Sequence, residues 1–166
     1  ALPPCHTVPT QFWSRPLSLD ERRWYYHHQM DHNFNKVMNT THSHLDGLNV
    51  PRRALSSFMY QRSADMGLGY PFNVASSALF LKMVAHVTNH VPERFNHKLG
   101  DAHIYNNHID GMKEVMRRWE EEEHYELPTL EIKNKDDINE IEDFSFDCFE
   151  LKDYEYHDKI DLPVAV

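Results

Sequence analysis

Cysteine is scarce in this chain: Cys5 and Cys148 are the only two in 166 residues. They lie far apart and form no metal-type pair. This excludes a disulfide-stapled secreted scaffold and suits a reducing cytosol, so a cytoplasmic location is expected. Long apolar runs are missing too. No stretch approaches the roughly eighteen residues that a membrane-spanning helix needs. Positive charge is in deficit, with 17 Lys and Arg against 26 Asp and Glu and a net charge of −9. Overall repulsion of that size argues against nonspecific binding to nucleic acid. It leaves room for a small anionic ligand, which needs only a few local arginines. No internal repeat is visible. No basic stretch followed by an apolar one opens the chain, but position 1 is Ala rather than Met, so a cut or processed end is expected there and nothing follows about a leader.

What is present is enough for one ordinary domain with a real core: 40% hydrophobic and 12% aromatic residues. Residues 14 to 54 differ in flavour from the rest, being rich in His, Asn and Arg. Ser18 with Glu21 three places on is a capping-box pattern and predicts a helix from Leu19 to about Met38 with a weak apolar face. Asp46-Gly47 and Pro51 predict a turn. From Leu55, LSSFMYQRS alternates as a strand does. GLGYP reads as a turn. NVASSALFLKMVAHVTNH, opened by Pro71, is apolar nearly all round and predicts a buried helix. FNHKLGDAHIY reads as loop then strand, and YNNHIDGMKEVMRRWEEEEHY as a helix. The acidic run Glu120 to Glu123 has the wrong sign for a helix C-terminus and should fray it. LPTLEI and FSFDCFEL are strand-like, with Cys148 in a strand core, and IDLPVAV is an apolar tail. Helices and strands without a strict βαβ rhythm define an α+β fold class.

The polar residues of the structured part suggest a chemistry. Arg62 beside the Ser63 hydroxyl is a grip for phosphate. Asp65 follows. Asn73 offers one acceptor and paired donors, which match a ring presenting N–H beside C=O, as uracil does. Cytosine would suit an acid better. His103 and Tyr105, two apart on one strand, share a face and can hold sugar hydroxyls. A cysteine near such an arginine has its thiolate favoured. Together they describe a site for a pyrimidine nucleotide attacked by sulfur.

ALPPCH, YQRSADMGLGYPFNVAS, LGDAHIYNNH and the terminal PVAV, in that order, resemble the thymidylate synthase family. The resemblance covers residues 1 to 13 and about 55 to 166. ALPPCH lies near mid-chain in that family, so the resemblance implies the C-terminal part of a longer catalytic domain. The fold it implies is a mixed sheet packed with helices, incomplete on the N-terminal side. The segment from about 14 to 54 is an insertion, partly helical, on whose role the resemblance is silent.

The resemblance also implies roles. Cys5 would attack C6 of deoxyuridylate (dUMP), with His6 as its neighbour and Asn73 selecting uracil. Gln61, Arg62 and Ser63 would hold nucleotide and phosphate. Asp65 would bond the pterin ring of 5,10-methylenetetrahydrofolate, and Gly69 would lie where base and folate approach the backbone. His103 and Tyr105 would bind the 3′-hydroxyl, and the Val166 carboxylate would close over the folate. The products are dTMP and dihydrofolate, with no metal involved. The family forms homodimers. Its other phosphate arginines and a proton-relaying glutamate have no counterpart in these residues, so this chain alone is expected to turn over little or not at all.

Other readings stand beside these. Cys5 alone would be buried filler, Arg62 a surface cation, Asn73 or Asp65 a cap, and His103 and Tyr105 core packing. His28 and His32, four apart with His27, His42 and His44 nearby, have a zinc-like spacing, yet no third ligand accompanies them and a solvated face is preferred. For the whole protein the rivals are a dUMP hydroxymethylase, in which water replaces hydride, and a noncatalytic nucleotide-binding relic. A deoxycytidylate hydroxymethylase is disfavoured by Asn73.

Overall fold

A computed structural model of the chain describes residues 10–29, 37 and 39–164. Strand β1 (Gln11–Pro16) pairs antiparallel with β2 (Arg53–Asp65), from Gln11↔Phe58 to Pro16↔Arg53. β2 is the middle of a three-stranded sheet whose other edge is β3 (Val91–His103). Its residues Ala54, Leu55, Ser56 and Ser57 are buried in succession, because a strand covered on both faces loses its alternation. Leu17 N–H donates to Arg52 O at 2.9 Å, one step beyond the last paired residues. Segment 17–52 therefore leaves and rejoins the sheet at adjacent points.

Inside that segment, α1 (Leu19–Gln29) starts where the sequence predicts. Glu21 N–H donates to Ser18 Oγ at 3.2 Å and Ser18 N–H donates to Glu21 Oε2 at 2.8 Å, which closes the capping box. The remainder of the helix expected to Met38 lies, apart from Val37, outside the described residues. Asp46-Gly47 is not the expected turn. Both residues belong to α2 (His42–Gly47), capped by Thr41, whose hydroxyl accepts from His44 N–H at 3.2 Å. The turn comes later, at Asn49, with a φ of 56°, a conformation asparagine tolerates better than most residues.

The weak apolar face of α1 has a physical reason. Tyr26, Val37, Leu45 and Val50 form a buried cluster with Leu19 and Tyr25 against it, and beside them α1 buries a cation. Arg22 is 0% exposed. Its guanidinium donates to Asp46 Oδ1 and the Val50 carbonyl at 2.8 Å each, to Pro51 O at 3.0 Å and to His42 O at 3.2 Å. It also meets His42 Nδ1 at 2.9 Å. A charge is tolerated there only because it is paired and its donors are satisfied.

Helix α3 (Gly69–Val87) begins inside GLGYP, which is thus only partly a turn. Pro71 sits in its first turn, where a missing N–H costs nothing. The expectation of a buried helix is corrected. Only Leu81 and Ala85 are buried, packed with Leu55, Val84 and Phe95, while Phe72 is 74% exposed. The described residues cover this helix on one side. Asn89, with φ 50°, follows its end, and Asn89 Nδ2 donates to Asn49 Oδ1 at 2.9 Å.

β3 runs from Val91 and so includes the stretch expected as a loop. It ends at His103, so Tyr105 lies past the strand rather than on it. A 3-10 turn (Asn106–His108) leads into α4 (Ile109–Glu121), which stops inside the acidic run, as charge at a helix end predicts. β4 (Thr129–Ile132) and β5 (Phe149–Lys152) form a second, antiparallel sheet, from Thr129↔Lys152 to Ile132↔Phe149. Cys148 is not in a strand core. It closes the 3-10 turn Phe146–Cys148, half-buried, with Ser145 N–H on its sulfur at 3.4 Å.

The chain divides into two compact units, Thr10–Met59 with Ala78–Asn96, and Tyr60–Ser77 with residues from His97 onward. The first holds both apolar clusters. The second holds every candidate site residue that the structure describes. Helices with two separate sheets bear out the α+β class. No described helix is long and apolar enough to cross a membrane.

Candidate active site

The site is built from the end of β2, the turn into α3 and the residues after β3. At the end of β2 the buried positions step from Met59 and Gln61 to Ala64, so the alternation slips by one. Gln61 is 2% exposed, and its Nε2 donates to Ser63 O at 2.8 Å. Its Oε1 has no hydrogen-bond partner among the described residues. Arg62 is exposed and Ser63 half-buried. Gly100 lets β3 pass close to this stretch. A Cβ there would stand 2.7 Å from Tyr60 Oη and 2.8 Å from Arg62 O.

Asp65 turns the chain into α3. Its Oδ1 accepts Gly67 N–H at 3.0 Å, and its Oδ2 accepts Leu68 N–H at 3.3 Å and Gly69 N–H at 3.2 Å. Gly67 and Leu68 belong to the turn and Gly69 opens the helix, where a negative charge is favoured. Asp65 thus caps the turn, one of the readings its sequence position allowed. Asn73 lies inside the helix, half-buried, with no capping duty. Gly69 keeps the space beside both open: a Cβ there would be 3.5 Å from Asp65 Cβ and 4.0 Å from Asn73 Nδ2.

Met66 N–H donates to His103 O at 2.9 Å and ties this turn to the end of β3. The His103 and Tyr105 rings meet edge to face at 5.1 Å, and Tyr105 meets His108 the same way at 5.6 Å. The pair expected to share a strand face is adjacent by ring contact instead. His103 Nδ1 is 3.3 Å from Asp101 Oδ2, an ion pair only when the imidazole is protonated. The structure therefore brings Asp65, Gly69, Asn73, His103 and Tyr105 into one neighbourhood, with Gln61, Arg62 and Ser63 entering along β2. Cys5, His6 and Val166 lie outside the described residues. Of the histidines with zinc-like spacing, His28 stacks on Trp24 at 4.1 Å and His32 is outside the described residues. Among the described residues no group of three or more His, Cys, Asp or Glu is set to hold a metal ion.

Sequence reasoning assigned nothing to Asn107 and His108, although both lie in LGDAHIYNNH. His108 is 0% exposed. Its Nε2 lies 2.6 Å from Pro163 O, and Asn107 Nδ2 donates to the same carbonyl at 3.4 Å. Their place inside a motif was the only signal available.

The chain matches the family model described as thymidylate synthase over residues 1–166. It is similar to thymidylate synthase of Candida albicans, 39% identical over 168 residues, which cover 100% of this chain and 46% of that protein. Over 121 residues it is 44% identical to thymidylate synthase of Saccharomyces cerevisiae, covering 73% of this chain and 37% of the relative. The human enzyme of that name is 46% identical over 117 residues, 70% of this chain and 36% of the relative. The chain belongs to the thymidylate synthase family. The matched part spans less than half the length of these relatives.

Proposed function

We propose that the protein to which this chain belongs methylates dUMP, using 5,10-methylenetetrahydrofolate as one-carbon donor and reductant. The observation that carries this reading is the division of labour at α3. Asp65 holds the turn into α3 through three backbone N–H groups, and the Asn73 carboxamide near it has no hydrogen bond among the described residues to give up, which supports assigning it to the base. Uracil N3–H would donate to the amide oxygen and a ring carbonyl would accept from the amide nitrogen.

In the proposed reaction the Cys5 thiolate adds to C6 and C5 becomes a carbon nucleophile. C5 attacks the folate methylene, forming the C–C bond as the first of that carbon's two C–N bonds breaks. Loss of the C5 proton expels the second folate nitrogen and leaves an exocyclic methylene on the base. A hydride from the folate adds to that methylene, and the electron pair passes through the ring to expel sulfur from C6. The products are dTMP and dihydrofolate, with the thiolate returned. His6 neighbours the nucleophile. Gln61, Arg62 and Ser63 hold the nucleotide and its phosphate, Arg62 by charge-assisted bonds. His103 and Tyr105 take the 3′-hydroxyl, and Gly69 gives close access to the backbone for base and folate. Asp65 keeps 20% of its side chain exposed, enough for a carboxylate oxygen to accept from a pterin N–H. Val166 closes over the folate. The rest of the proposal is a cytoplasmic homodimer with the family's fuller mixed sheet and with segment 14–54 as an insertion in it. These 166 residues alone give little turnover, since none of them is assigned to the remaining phosphate arginines or the proton relay.

Incubating the complete protein with dUMP and methylenetetrahydrofolate tests this. Dihydrofolate absorbance rising in step with dTMP is the expected result. Hydroxymethyl product with tetrahydrofolate regenerated would assign a hydroxymethylase. A Cys5→Ser protein that keeps its phenotype would assign a binding role.

A further inference from the structure

His108 has no role in the reaction proposed above, yet it is buried completely between Asp65, which has one, and Pro163, three residues before Val166, which has another. Its Nε2 is 2.6 Å from the Pro163 carbonyl. A carbonyl only accepts, so Nε2 carries a proton. In the neutral ring this fixes the tautomer and leaves Nδ1 with a lone pair. That atom is buried without a hydrogen-bond partner among the described residues, 3.7 Å from Asp65 Oδ1. The backbone closes over it, since a Cβ on Gly67 would stand 2.7 Å from Nδ1. Gly67 N–H is itself held by the same Asp65 oxygen at 3.0 Å. One face of the ring system therefore rests on the Asp65 turn while its other end grips the C-terminal segment. Asn107 adds a second donor to that segment. Gly111 lets it lie close, as a Cβ there would be 2.5 Å from Leu162 Cδ2 and 3.1 Å from Ile160 Cγ2.

We propose that His108 is a positioning residue that locks the C-terminal segment at Pro163 to the Asp65 turn, so that the two sides of the folate position are set together. This rests on the functional reading above for its consequence, though not for its geometry. Without the imidazole the Pro163 carbonyl keeps only the longer bond from Asn107, and the turn loses the ring that props it. Removing the imidazole should loosen both ends at once and weaken folate binding while sparing dUMP.

The test uses the full-length protein with His108→Phe and His108→Gln. Amide hydrogen exchange is read at Gly67–Gly69, whose N–H groups Asp65 holds, and limited proteolysis at 160–164, where a carbonyl makes the bond. Phenylalanine should speed both by about tenfold, the loss of roughly one buried hydrogen bond. Glutamine keeps a donor near the Nε2 position and should restore resistance to cleavage at 160–164. KM for the folate should rise with Phe by a similar factor, with KM for dUMP within about twofold. Unchanged rates at either place in the Phe protein overturn the proposal, whatever the activity. If Phe prevents folding, Asn107→Ala must speed cleavage at 160–164 but not exchange at Gly67–Gly69, and any other pattern overturns it. Failure of the functional reading shows separately, as an unaltered protein that forms no dTMP.

Discussion

Arg22 and Asp46 form an ion pair at 2.8 Å in which the cation is fully buried and the carboxylate is about one-third exposed. The arginine lies on α1 and the aspartate on α2, so the pair joins the two described helices of segment 17–52. Asp46 also pairs with exposed Arg52.

Replacing Arg22 by leucine strands three carbonyls and one side of Asp46. Breaking a buried pair from one side costs about 3–5 kcal/mol. Urea denaturation should show a loss of that size, and Arg22→Lys should recover little of it because an ammonium cannot fork to so many acceptors. A loss below about 1 kcal/mol would show that water fills the role.

Acid should weaken this segment early. Arg52 chiefly, with Arg22, lowers the Asp46 carboxyl from 3.8 to about 2. Arg15, with help from Ser18, lowers Glu21 from 4.5 to about 2. A carboxylate depressed in the folded state stabilises it above the unfolded pKa and loses that effect as pH falls through the folded one. Stability should therefore drop between about pH 4.5 and 2, more steeply at low salt. Asp46→Asn should flatten the drop, and an equally steep curve in that variant would refute the assignment.

Gly100→Ala should disturb the end of β2. The new methyl would meet Tyr60 Oη at 2.7 Å and Arg62 O at 2.8 Å. Overpacking of this kind costs about 1–3 kcal/mol. Adding Tyr60→Phe removes only one obstacle, and the backbone carbonyl remains. The double variant should stay destabilised and should bind dUMP more weakly; full recovery in calorimetry would contradict this.

Asn73→Ala should lower kcat/KM for dUMP by about a hundredfold or more, since a buried base edge loses its paired donor and acceptor. Asn73→Asp should move preference toward the cytosine nucleotide. Equal use of both pyrimidines by the unaltered protein would remove Asn73 from the role proposed.

Local chemistry was readable from the sequence, while distant contacts were not. The Ser18–Glu21 box depends on residues three apart and closes as read. Asp65, Asn73 and His103 could be named as candidates because each lies inside a short contiguous motif. Arg22 was not singled out, because its partners stand about twenty to thirty positions along the chain. His108 was missed for the same reason, its acceptor being Pro163. Hydropathy overstates the burial of α3, because it records what a helix would cover, not which neighbours are there to cover it. Tyr105 falls past the strand although its spacing from His103 fits one, because two-residue spacing does not reveal where a strand ends.

The pairing of Pro16 with Arg53, sealed by Leu17 and Arg52, has an evolutionary corollary. Whatever hangs from that tip enters and exits through a doorway two backbones wide. Lengthening or deleting the hanging piece would leave the register of the strands beneath it unchanged. Such a place is a natural port for grafting, where a lineage can try out new surfaces without renegotiating the scaffold.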